Sequence, residues 1–379
     1  MFPRVYLFGF LLHVYIANCM VIKTEMFINQ STSYSSFCVC MPYWQCKEDY
    51  SGLTDDVANI VDIRNFESSG NSLNQSPCSD DFDVCCRIEC GRRRRSNYVD
   101  DKFGIGITNR LSSFSKSFSP FFSKRIVGQN NEAEFGEFPW MLGILWNKAF
   151  LCGASLIHPQ VAMTAAHCVF GRKGTIKVRA GEWNWESTEE MWPFQDRFTK
   201  QIIIHQQYHP ISVRNDIALL VVDEPFKLTE NVGIVCIPPP NMQYDGSTCT
   251  ASGWGKNAHY EGKYQSTLKK TDLPLVARDK CTRVLQEARL GPAFRLHRSF
   301  ICAGGEENKD TCKGDGGSPL VCPIDEEDDR YEQVGIVSWG LTCGVKNTPG
   351  VYVNVPLFSA WIDGQMKRLN FDTNIYKYS

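Results

Sequence analysis

Cysteine placement constrains this chain more than any other feature. Cys38, Cys40, Cys46, Cys78, Cys85, Cys86 and Cys90 crowd the first quarter, and the remainder are spread from Cys152 to Cys343. The first group lies in a segment too short and too polar to bury a large core, so that segment needs covalent staples to fold. Spacing alone leaves many connectivities open. The total, 17, is odd, but Cys19 lies at the end of "MFPRVYLFGFLLHVYIANC". There a single Arg precedes an apolar run and small residues follow, which is a signal-peptide pattern over residues 1–19. The run is too short to span a bilayer comfortably. Removing it takes Cys19 with it and leaves sixteen cysteines, an even set. Export also makes Asn29-Gln30-Ser31 a glycosylation acceptor at Asn29.

The formal charge of −2 gives no reason to expect nucleic acid or a membrane surface as the bulk partner. Charge is local: Arg92 to Arg95 form a basic run, read as solvated loop or processing site, and Asp325 to Asp329 an acidic one. From Gly91 to Lys124 the composition turns to Ser, Gly, Arg and scattered Phe without period, which predicts a mostly mobile linker across 87–125. After it come short apolar runs broken by Gly, Pro and Asn, such as "WMLGILW", "IALLVVDEP" and "GVYVNV". These predict an all-β sandwich or barrel. One exception, "PLFSAWIDGQMKRL", repeats Phe358, Trp361, Ile362, Met366 and Leu369 at helical steps and predicts a C-terminal helix.

"TAAHC" places His167 directly before Cys168, "NDIALL" places Asp216 at the head of an apolar strand, and "DTCKGDGGSPLVC" follows downstream. The order His, Asp, then a Gly-Asp loop suits hydroxyl catalysis, with an imidazole to take a proton and a carboxylate to orient it. With "ASGWG", "SWG" and "PGVY" in the same order, residues 126–371 resemble a trypsin-like serine protease domain. The resemblance implies two six-stranded β-barrels with the active site between them. It also implies the pairs Cys152–Cys168, Cys249–Cys322, Cys281–Cys302 and Cys312–Cys343.

The departure is at the nucleophile. The family reads Gly-Asp-Ser-Gly-Gly-Pro, whereas this chain reads Gly314-Asp315-Gly316-Gly317-Ser318-Pro319. Cys312, Pro319 and Cys322 keep the family frame, so Gly316 holds the nucleophile position. Ser318 stands two residues beyond it, and two extended residues span roughly 6–7 Å, out of reach of a base. In subtilisin, loss of the triad serine alone lowers turnover by roughly 2 × 10⁶. The expectation is a pseudo-enzyme with His167 and Asp216 as triad remnants and Gly314 and Gly316 as the remnant of an oxyanion hole. Asp310 matches the carboxylate at the floor of a trypsin-like specificity pocket, with Gly340 and Gly350 as its small walls, a slot suited to Arg or Lys.

"KRIVGQ" resembles the activation junction. Cleavage after Arg125 would free the Ile126 amine, which in the family enters the barrel and pairs with the aspartate at Asp315; Gln129 replaces a usual glycine there. The N-terminal block resembles the clip domain of arthropod serine proteases and their homologues over 38–86. That resemblance implies Cys38–Cys85, Cys40–Cys78 and Cys46–Cys86, with Cys90–Cys236 tethering clip to protease domain. The pairing then uses all sixteen mature cysteines.

The whole chain thus resembles a clip-domain serine protease homologue. The resemblance implies a secreted, non-catalytic cofactor or scaffold in an extracellular cascade of the prophenoloxidase and melanisation type. Its partners would be active clip proteases and a prophenoloxidase-type substrate, with oligomer formation left open. The alternatives are a residual trypsin-like endopeptidase and a decoy that holds Arg-containing segments uncut. There is no metal cluster with ligand spacing and no nucleotide loop; "WNWESTEEMW", Trp183 to Trp192, is at most a trypsin-type calcium loop.

Overall fold

Ile176–Ala180 reads IKVRA, and its burial alternates: Ile176, Val178 and Ala180 are buried while Lys177 and Arg179 are half-exposed. That is the period of a strand with one face on a core. Ala218–Val222 reads ALLVV and is buried throughout, the signature of a strand covered on both faces.

The computed structural model describes residues 38–42, 83–87, 89–94 and, apart from breaks at 245, 257–261, 308 and 325–328, residues 131–378. The signal segment 1–19, Asn29, Cys46, Cys78, Arg125 and Ile126 lie outside the described residues, as do the side chains of Cys38, Cys40 and Cys85. The pairings Cys38–Cys85, Cys40–Cys78 and Cys46–Cys86 therefore fall outside them too. In the clip segment, strands β1 (Cys38–Pro42) and β2 (Asp83–Arg87) pair antiparallel, with Cys40 opposite Cys85.

Both expected barrels are present. The first closes in the order β3-β4-β5-β8-β7-β6, from β3 (Met141–Trp146), β4 (Ala149–His158), β5 (Val161–Thr164), β6 (Ile176–Ala180), β7 (Gln195–Ile204) and β8 (Ala218–Val222). The second closes as β10-β11-β14-β13-β12-β9, from β9 (Thr248–Gly253), β10 (Lys269–Val276), β11 (Phe300–Ala303), β12 (Pro319–Pro323), β13 (Tyr331–Trp339) and β14 (Gly350–Asn354). Closure leaves no free strand edge in either barrel. The barrels meet across a seam with a polar pin. Gln333, fully buried on β13, accepts a hydrogen bond from Ser155 Oγ of β4 at 2.6 Å and donates to Gly335 O at 3.1 Å. Satisfying both ends of the amide makes its burial tolerable.

The C-terminal helix α3 spans Val355–Arg368, with Pro356 in its first turn and Lys367 and Arg368 in its last, where cations suit the helix dipole. Phe358, Ile362 and Met366 are buried, and each contributes about 1.5–3 kcal/mol by leaving water. The fold does not stop at Leu369. Ile375 and Tyr376 are buried, Ile237 N donates to Tyr376 O at 2.8 Å, and the Tyr376 hydroxyl donates to Asp363 at 2.7 Å.

The predicted mobile linker needs correction at its start, because residues 89–94 belong to the folded body. Cys90 is bonded to Cys236, Gly91 N donates to Ile234 O at 2.7 Å, and Tyr331 N donates to Gly91 O at 2.8 Å. Gly91 adopts φ +75°, and a Cβ there would stand 2.1 Å from Tyr331 O, so only glycine fits. Arg93 and Arg94 of the basic run are anchored as well. Arg93 Nε donates to Glu137 at 3.0 Å and Arg93 Nη1 to the Tyr331 hydroxyl at 2.8 Å, while Arg94 pairs with Glu230. Glu137 is 1% exposed and also takes Lys270 Nζ at 2.7 and 2.8 Å. A buried carboxylate requires such partners, which explains why Arg93 is held against the body.

Candidate active-site cleft

The two barrels contribute different halves of the cleft. β5 runs into the short helix α1 (Ala166–Val169), which carries His167, and Asp216 sits just before β8. Asp216 is fully buried, and three donors converge on it. His167 N donates to Oδ1 at 2.8 Å, His167 Nδ1 lies 2.7 Å from Oδ2, and Ser338 Oγ donates to Oδ2 at 2.6 Å. The carboxylate fixes the ring through Nδ1, and Nε2 faces the second barrel. Ser338 belongs to the constellation although sequence reading passed over it. It stands in the "SWG" stretch, where only Gly340 was singled out.

The second barrel contributes the loop leading into β12. A Cβ built on Gly316 would lie 2.8 Å from His167 Nε2 and 3.8 Å from Cys152 Sγ, so the backbone aims this position at the imidazole. The residue there has no side chain, and no hydroxyl can be deprotonated. Ser318 is 1% exposed and points elsewhere. Its Oγ lies where Cβ atoms on Gly153 and Gly253 would approach to 2.0 and 3.2 Å, and it has no hydrogen-bond partner among the described residues. Gly317 separates the two positions at φ +82°. A Cβ there would meet Thr164 Oγ1 at 2.3 Å and Gly153 O at 2.4 Å, so this residue is held as glycine. Gly153 N donates to Gly316 O at 2.9 Å and locks the loop against the first barrel. Gly314 has φ +103°, and among the described residues neither its amide nor that of Gly316 donates a hydrogen bond.

Asp315 is 9% exposed. Its Oδ1 accepts from Gly255 N at 2.7 Å and its Oδ2 from Cys312 N at 2.8 Å, and burial pushes its carboxyl up to about 6. Asp310 also lies low in the fold. Oδ1 accepts from Thr311 N at 2.8 Å and Oδ2 from Gly344 N at 3.1 Å. Burial pushes it up to about 7, against those two amides. A Cβ on Gly350 would come within 3.0 Å of Asp310 Oδ1, so a side chain there would fill the space beside the carboxylate; Gly340 is exposed on the other flank, 3.4 Å from Thr342 O on the same test. Cys312–Cys343 ties the Asp310 loop to that flank, and Cys152–Cys168 ties α1 to β4. Cys249–Cys322 and Cys281–Cys302 brace the second barrel.

Among the described residues, Cys152, His167 and Cys168 bring ligand-type atoms within 4.8 Å of one another, but the two sulfurs are bonded to each other and offer no thiolate. The stretch Trp183 to Trp192 is more informative. Glu182 is 5% exposed, its Oε2 accepts from Arg179 at 3.0 Å, and its Oε1 has no partner among the described residues. Glu190 Oε1 accepts from Asn184 N at 2.8 Å and Trp183 N at 3.2 Å. Burial, with Glu182 alongside, pushes Glu190 up to about 7. Two adjoining carboxylates require a shared proton or a cation, and oxygen ligands with an orphaned carboxylate oxygen fit calcium.

The sequence model described as Trypsin matches residues 126–362, and that described as Serine protease Clip domain PPAF-2 matches 29–87. "Phenoloxidase-activating factor 2" of Galleria mellonella is 47% identical over 270 residues, which cover 67% of this chain and 89% of that protein. "Inactive CLIP domain-containing serine protease A8" of Anopheles gambiae is 36% identical over 340 residues, 86% of this chain and 88% of that protein. "Inactive CLIP domain-containing serine protease A28" of the same mosquito is 41% identical over 244 residues, 62% of this chain and 63% of that protein. With two closed barrels, a clip segment and a cleft whose histidine faces a glycine, this chain belongs to the trypsin family as a clip-domain serine protease homologue.

Proposed function

We propose that this protein is a secreted, non-catalytic regulator that serves as a cofactor or scaffold in an extracellular proteolytic cascade of the prophenoloxidase-activating type. The observation that carries this reading is Gly316. His167 and Asp216 are in register for proton transfer, but the position facing Nε2 has no oxygen. Ser318, two residues on, is buried in the seam and aimed at Gly153, and Ser338 is committed to Asp216 Oδ2 at 2.6 Å. No acyl intermediate forms without a nucleophile. The names of the relatives support the same reading, since two are called inactive and a third a phenoloxidase-activating factor. The disulfides suit an oxidising compartment, and among the described residues no helix is long and apolar enough to cross a membrane.

The partners are active clip proteases and a prophenoloxidase-type substrate. Cleavage after Arg125 switches the protein. The freed Ile126 ammonium enters beside Asp315, whose buried carboxylate has two amide donors and no cation among the described residues. Calcium binds at Glu182 and Glu190 and steadies the loop between them. The test uses full-length protein cleaved after Arg125, added to an active clip protease and prophenoloxidase. Phenoloxidase activity rises, while the protein alone leaves an arginine peptide ester intact. Ester turnover abolished by an organophosphate would overturn the reading in favour of a residual endopeptidase.

A second reading rests on Asp310. Its carboxylate and the space beside Gly350 suit an arginine side chain held without being cut. Unchanged partner binding by Asp310→Ala would remove it.

A further inference from the structure

The surface from α2 (Arg278–Leu285) to Arg298 carries more positive charge than anything in the catalytic cleft calls for. Between residues 278 and 298, Arg278, Lys280, Arg283, Arg289, Arg295 and Arg298 are accompanied by only two acids, Asp279 and Glu287, in a chain whose net charge is −2. All six cations are exposed, and among the described residues none of them forms an ion pair. The helix buries Cys281 and Leu285 against the second barrel and turns its charged face outward. The π-helical turn that follows, Gln286–Leu290, buries no residue.

These charges surround an open cavity of about 380 Å³ lined by Arg278, Arg283 and Arg295, with Asp279 the one carboxylate in its wall. Its frame is fixed. Arg278 donates to the carbonyls of Leu296 at 3.2 Å, His297 at 3.3 Å and Phe300 at 2.7 Å, and Gln286 donates to those of Pro292 at 3.1 Å and Phe294 at 2.8 Å. Those bonds, with one more to Arg298 O at 3.4 Å, occupy both terminal nitrogens of Arg278 but leave its charge unneutralised, so it serves as a fixed charge while Arg283 and Arg295 offer the forks. The cationic field extends past the rim: burial first, then Arg214, Arg298 and Arg278, lower the proton affinity of His297.

We propose that this cavity is a binding site for a sulfated polysaccharide. Arginine outnumbers lysine five to one here, and its planar fork matches the oxygens of a sulfate ester two at a time. The lining offers no apolar anchor for a peptide, since Leu296 is 8% exposed. It offers no aromatic platform for a nucleic acid base either, because none of the lining residues is aromatic. A ligand that brings regularly spaced oxyanions and no hydrophobic group is what such walls recognise. Occupancy would hold this regulator on a sulfated matrix, with the catalytic-type cleft left open.

The test is titration of the full-length protein with a heparin octasaccharide at physiological ionic strength. Parallel titrations use the desulfated octasaccharide, a poly-glutamate peptide and a short single-stranded DNA of similar charge. The octasaccharide is expected to bind most tightly. Arg283→Gln and Arg295→Gln should each weaken it about five-fold, the value of one charge pair near 4 Å in water. The salt dependence should fall by about one unit of slope per cation removed. Lys367→Gln, in the last turn of α3 and not among the residues lining the site, should change nothing. Absence of octasaccharide binding would overturn the proposal, as would unchanged affinity in both arginine variants. Equal or tighter binding of the peptide, the DNA or the desulfated chain would do the same.

Discussion

Asp310 offers a quantitative check on whether the specificity pocket still works. In the empty slot, burial outweighs the amides of Thr311 and Gly344 and pushes the carboxyl up to about 7. A bound amidinium pairs with the ionised form and holds it ionised. Apparent affinity for p-aminobenzamidine therefore follows the ionised fraction of the empty pocket. That fraction is about nine-tenths at pH 8 and about one-tenth at pH 6, so affinity should fall about ten-fold between them. A carboxylate with an ordinary titration would give a flat profile over the same range. Fluorescence titration of the Arg125-cleaved, full-length protein reads this directly. Asp310→Asn should abolish the pH dependence and cost about 10- to 100-fold at pH 8, since a charge-assisted bond is lost. Affinity unchanged from pH 8 to 6 would refute the burial argument, and no binding at any pH would refute a retained pocket.

Four further outcomes follow from the geometry. Gly316→Ser puts a Cβ 2.8 Å from His167 Nε2, so the imidazole, 30% exposed, must retreat slightly; it should then recover at least ~10³-fold in arginine ester hydrolysis, and an inert variant would mean the cleft has drifted beyond the nucleophile. Ser318→Ala removes a buried hydroxyl without a partner and should raise unfolding free energy by about 1 kcal/mol in a denaturant titration; a loss would mean the hydroxyl is satisfied. Glu137→Ala strips Arg93 and Lys270 of their shared carboxylate and should cost about 3–5 kcal/mol in the same assay, whereas a change under 1 kcal/mol would reject the anchoring of residues 89–94. Glu190, raised to about 7, stabilises the fold fully below its unfolded value near 4.5 and loses that contribution as pH rises through 7. The melting temperature should therefore drop over that window in chelator, and calcium should restore it; a calcium-independent profile would leave the pair sharing a proton.

Much of the site was legible because its chemistry is written locally. His167 beside Cys168, Asp216 at the head of a buried strand, and the frame of Cys312, Gly316 and Pro319 each occupy a few consecutive residues. The helix at Val355–Arg368 was equally legible, since its buried Phe358, Ile362 and Met366 obey a helical period. The sequence by itself determined which side-chain chemistry is present and which is missing, above all the glycine where a hydroxyl belongs. Tertiary structure alone decided where the distant partners fall. Ser338 reaches Asp216 across 122 residues, Lys270 reaches Glu137 across 133, and Ser318 faces Gly153 rather than the histidine. It also decided that Arg93 and Arg94 are held by Glu137 and Glu230 instead of waving in solvent. Period and spacing describe a single strand or helix, whereas these contacts arise when two barrels close and meet, and no local pattern encodes that juxtaposition.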